Sequence, residues 1–168
     1  MGSSFGRSVY EAEPVLHVSN GGAQVFLDVL ALAACDLAES EWELRFALLC
    51  CNSRVGGGND GFDLDELPWS ESGWPAQREF VVRVVDAALE RHRWEVLPYD
   101  PPQVLGYLRQ YREIVSGYVP APPLSSVVGW WEYERNEAHF RRCERHGLFV
   151  GVFEDCRLCP EDQWITCG

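Results

Sequence analysis

Near the C-terminal end of this chain, Cys143-x-x-His146 is followed, after nine intervening residues, by Cys156-x-x-Cys159. No other feature constrains the fold as strongly. A two-residue spacer lets each pair straddle one metal ion from a tight turn, and Gly147, directly after His146, suits such a turn. The expected ion is Zn2+ held tetrahedrally by Cys143, His146, Cys156 and Cys159. With four protein ligands no position is left for water or substrate, so the metal is expected to be structural. Cys167 is the spare that can replace one ligand, and His139 is expected at the surface or beside the metal. A thioredoxin-type reading of Cys156-Arg157-Leu158-Cys159 needs a strand before it and a helix after it, which the flanking sequence does not offer.

The rest of the chain reads as helix. Ser19 or Asn20 can cap a segment from about Ala23 to Ala38, whose Val25, Phe26, Leu27, Val29, Leu30, Leu32 and Leu37 cover nearly every face, which places it in the centre and Cys35 in the core. Ser40-Glu41-Trp42-Glu43 has capping-box form and opens a second helix. Pro75 sits at a first-turn position before a third, Ala76 to Arg93. A fourth is capped by Asp100 and started by Pro101, with Val104, Leu108, Tyr111, Val115 and Tyr118 on one face.

Two breaks divide these elements. Val55 to Trp74 reads as a loop carrying Asp60, Asp63, Asp65 and Glu66 among Phe62, Trp69 and Trp74. It lacks the glycine and glutamate positions of a calcium-binding loop. Its mixture of acids and indoles suits a contact surface, with Trp69 and Trp74 either anchoring a partner or covering the bundle. The second break, Pro120-Ala121-Pro122-Pro123, is stiff and extended. Beyond it, Ser126 can cap a helix through Trp130, Trp131, Tyr133 and Phe140, and Leu148 to Phe153 is expected as a strand or hairpin arm. The expected architecture is mainly α. It is a bundle of about four to five helices with a small C-terminal zinc-bound module, divided into an acidic helical domain over residues 1–124 and the zinc-binding module over 125–168 packed on it.

Charge and composition narrow the function. All fourteen basic residues are arginine, so a P-loop lysine and a Schiff base are both excluded. The net charge of −12 repels a nucleic-acid backbone and favours a basic partner. Trp130, Trp131, Arg135, Arg141, Arg142 and Arg145 form a locally basic, aromatic stretch, but Glu132, Glu134, Glu137 and Glu144 interrupt it. No Gly-x-Ser-x-Gly, His-Glu-x-x-His or dinucleotide glycine pattern is present, so no catalytic residue is expected. Met1 to Gly6 lacks a basic-then-apolar signal pattern and no apolar run is long enough for a bilayer, which points to the cytoplasm.

The segment from Cys143 to Cys159 resembles a zinc ribbon or zinc knuckle, and that resemblance implies a structural metal module without implying an activity. The expected protein is therefore a non-enzymatic binding protein. Its acidic, Trp-bearing surface, drawn from Asp60, Asp63, Asp65, Glu66, Trp69 and Trp74, would neutralise a basic protein partner in the manner of an inhibitor or immunity protein. A zinc-ribbon regulator touching nucleic acid is the second reading, and an enzyme with a loop-borne site the third.

Overall fold

The computed structural model describes residues 2–6, 15–53, 62–101, 103–121 and 135–159. Among them are four α-helices: α1 Asn20–Leu37, α2 Glu41–Asn52, α3 Trp74–Leu89 and α4 Val104–Ser116. The centre is α1. Phe26, Leu27, Leu30 and Leu32 have no exposed surface, and each contributes about 1.5–3 kcal/mol by leaving water. A helix apolar on nearly every face can only be stable if covered on all of them, and α2, α3 and α4 all pack on α1. Among the described residues no helix is long and apolar enough to cross a membrane.

The sequence signals that open α2 act as expected. The Ser40 side chain accepts from the Glu43 amide, and the Glu43 carboxylate accepts from the Ser40 amide at 3.0 Å. Pro75 lies in the first turn of α3. That helix stops at Leu89, short of the expected Arg93, because Arg91 and Arg93 adopt left-handed backbone angles (φ 61° and 55°) and the chain turns back. The fourth helix begins at Val104 and not at Pro101, and its cap is Gln103 in place of the expected Asp100.

An N-terminal hairpin was not expected. β1 Gly2–Gly6 pairs antiparallel with β2 Val15–Ser19, Gly2 opposite Ser19 and Gly6 opposite Val15, and β2 runs directly into α1. The described part of the expected 55–74 loop holds a 3-10 turn, Leu64–Glu66, and carries Phe62, Leu64, Leu67 and Trp69 into the core. Near the C-terminus the expected strand over Leu148 to Phe153 is reduced to one antiparallel bridge, Arg142 with Phe149, followed by a 3-10 turn, Gly151–Phe153. Gly151 has φ +68°, which ends any extended run. The end of the expected 126–140 helix is a 3-10 turn, Glu137–Phe140; its start, with Ser126, Trp130, Trp131 and Tyr133, lies outside the described residues, as does the expected domain border at 124 and 125.

Candidate metal centre

Two tight turns bring the four expected ligands together. In the first, the Cys143 amide donates to Leu148 O and the Gly147 amide to Cys143 O, both at 2.8 Å, and Gly147 takes the left-handed conformation (φ +72°) that turns the chain back. In the second, the Cys159 amide donates to Cys156 O at 3.1 Å. The ligand atoms of Cys143, His146, Cys156 and Cys159 all lie within 4.8 Å of one another, and all four residues are buried. This Cys3His cluster can hold a metal ion.

Its internal distances are regular. Sγ of Cys143 stands 3.8 Å from Sγ of Cys159 and 3.8 Å from Nδ1 of His146, and the same nitrogen lies 3.4 Å from Cys156 Sγ and 3.5 Å from Cys159 Sγ. One nitrogen thus faces three sulfurs. Burial, with Arg145 and Arg93 nearby, lowers the His146 pKa and so favours the neutral imidazole that a metal needs. Burial pushes the Cys156 thiol up to about 12, so without a cation to stabilise it the thiolate is strongly disfavoured. In the structure Cys159 is disulfide-bonded, and it acts as a thiolate donor only once reduced.

Arginines clamp the cluster to the helical body. Arg93 donates to His146 O at 2.8 Å, and Arg142 donates to Gly147 O at 2.8 Å and to Cys35 O at 2.7 Å. Asp36, near the end of α1, gathers both guanidiniums (3.4 and 3.7 Å) and the His92 ring (2.8 Å). The third clamp is the deepest: Arg157, between Cys156 and Cys159, forms an ion pair with Asp28 of α1 at 2.5 Å, with the two side chains only 1% and 2% exposed. Neither partner had been singled out in the sequence. One acid in the otherwise apolar run of α1 was the available signal, since a buried carboxylate demands a counter-ion.

The other expected site residues scatter. Trp69 is a core residue, 2% exposed, its indole N–H donating to Leu64 O at 2.6 Å and its ring packed on Trp42 and Tyr118. Asp63 is 5% exposed, and its amide donates to the Glu66 carboxylate. Asp65 and Glu66 are exposed, Asp65 accepting from the Tyr118 hydroxyl. Trp74 is half-buried at the start of α3 beneath the Arg78 guanidinium. Asp60 and Cys167 lie outside the described residues. His139 is half-buried beside Asn136 and is not in the cluster; Cys35 is fully buried, 3.5 Å from Cys51. No family model, curated protein or solved structure matches the chain.

Proposed function

We propose that the protein is a non-enzymatic binding protein, an acidic inhibitor or immunity-type protein whose C-terminal part is pinned by one structural zinc and whose surface engages a basic protein. The spacing of the four donor atoms carries the metal half of this reading. Zinc–sulfur bonds of about 2.3 Å and a zinc–nitrogen bond of about 2.0 Å in a tetrahedron put sulfurs about 3.8 Å from each other and about 3.5 Å from the nitrogen. The cluster's separations of 3.8, 3.8, 3.4 and 3.5 Å fit that figure. Four buried protein donors close the site, which favours a staple over a catalytic metal.

The partner half rests on the net charge of −12 and on four exposed acids, Asp65 and Glu66 in the 3-10 turn, Glu71 after it and Glu79 in α3. Such a field speeds encounter with a basic surface. Two arginines of the basic stretch are already engaged, Arg135 with Glu41 and Glu137, and Arg142 with Gly147, Cys35 and Asp36, which counts against a nucleic-acid surface there. The test is to identify a partner by capture from native lysate and to follow association with rising salt. The rate should fall steeply, and replacing Asp65 and Glu66 with Ser should slow it further. Tight DNA or RNA binding at physiological salt, lost when Arg141 and Arg142 are replaced, would put the nucleic-acid regulator in its place.

A further inference from the structure

Beside Tyr99 lies a cavity of about 490 Å³, the size of a small-molecule site, and its described wall includes Val25, Tyr99, Asp100, Pro101, Val104 and Tyr107. Two tyrosine rings and three aliphatic side chains make that wall largely apolar. Asp100 is exposed, and among the described residues no arginine or histidine pairs with it. No described residue of the wall carries a positive charge. The cavity thus combines apolar surface with one uncompensated carboxylate.

Tyr99 adds an acceptor to it. Its hydroxyl donates to Asp28 Oδ2, whose charge Arg157 balances from inside the bundle. Burial, and then the Asp28 carboxylate, hold the Tyr99 phenol well above its ordinary range, so it stays neutral with its proton committed inward. The oxygen lone pairs that remain can accept a hydrogen bond and cannot give one.

We infer that this cavity binds a small organic amine, its ammonium on Asp100 and its apolar body against the Tyr99 and Tyr107 rings. The site stands apart from both the metal centre and the basic-partner reading. The first turns of α1 and α4 also reach the wall, through Gly21, Gly22 and Val104, and helix N-termini attract anions. Each carries only about half a unit of charge, and Asp100, just ahead of α4, already offsets one of them. A carboxylate or phosphate entering the cavity would meet Asp100 with no cationic side chain in the described wall to hold it. An ammonium neutralises Asp100, can donate to the Tyr99 oxygen and is drawn to the ring faces.

An NMR titration of the full, reduced chain tests this with phenethylamine, its neutral analogue phenethyl alcohol and its anionic analogue phenylacetate. Phenethylamine should bind with a Kd of about 1 mM or tighter, about three- to tenfold tighter than the alcohol, and phenylacetate should bind most weakly. Asp100→Asn, a change at an exposed and unpaired position, should leave the melting temperature unchanged and abolish the preference for amine over alcohol. Tyr107→Leu, which keeps an apolar wall but removes a ring face, should weaken the amine by about two- to fivefold. Phenylacetate binding as tightly as the amine would overturn the inference, as would an amine affinity that Asp100→Asn leaves unchanged. A basic peptide that binds through Asp100 where phenethylamine does not would assign the cavity to a partner's side chain and overturn the small-molecule site.

Discussion

Replacing Trp69 with Ala distinguishes a core indole from a partner anchor. The ring is 2% exposed, its centroid lies 5.2 Å from that of Trp42 and 5.6 Å from that of Tyr118, and its N–H is bonded to Leu64 O. Truncating a buried tryptophan costs about 3–5 kcal/mol. The abandoned Leu64 carbonyl moves the expectation to the upper half of that range, because an unsatisfied buried acceptor adds its own penalty. For a chain of this length about 4 kcal/mol lowers the melting temperature by roughly 8–16 °C. Urea unfolding followed by circular dichroism, on metal-loaded samples of both proteins, measures it. A midpoint within error of the native chain would show that the indole is not in the core.

Two further substitutions probe the C-terminal part. Gly151→Ala puts a Cβ 1.9 Å from Asn52 Oδ1, the acceptor of the Val152 amide, at a backbone φ of +68°. Left-handed strain and a disturbed hydrogen bond should together cost about 2–4 kcal/mol and weaken metal retention in a chelator competition; unchanged melting and retention would refute the geometry. Asp28→Leu alone should cost about 3–5 kcal/mol by leaving Arg157 buried and unpaired, while Asp28→Leu with Arg157→Leu should recover much of the loss. Additive losses in that cycle would show that the two groups do not interact.

What could be read from the sequence was what is local. The capping residues of α2, the first-turn proline of α3 and the apolar stripe of α4 lie within one element each, and the structure places helices there. The ligand pairs are likewise local turns, and two such turns facing one another give the cluster. The hairpin was hidden because β1 reads Gly-Ser-Ser-Phe-Gly, poor in strand-favouring residues, and its pairing reaches across to 15–19. Periodicity cannot orient an indole in a loop, which is why Trp69 stood open between anchor and core. The role of Arg157 depends on Asp28, 129 residues away in sequence, and no spacing rule joins them.

The central claim is that this chain carries one zinc on Cys143, His146, Cys156 and Cys159, and elemental analysis of freshly purified, fully reduced protein tests it most directly. Reduction matters because Cys159 is disulfide-bonded in the structure and must be a thiolate to serve as the fourth ligand. The expected result is about one zinc per chain, lost in Cys143→Ser and Cys156→Ser, with a chelator lowering the melting temperature because the metal's binding energy contributes to folding. Reduced protein that holds no zinc, and melts at the same temperature with and without chelator, would contradict it.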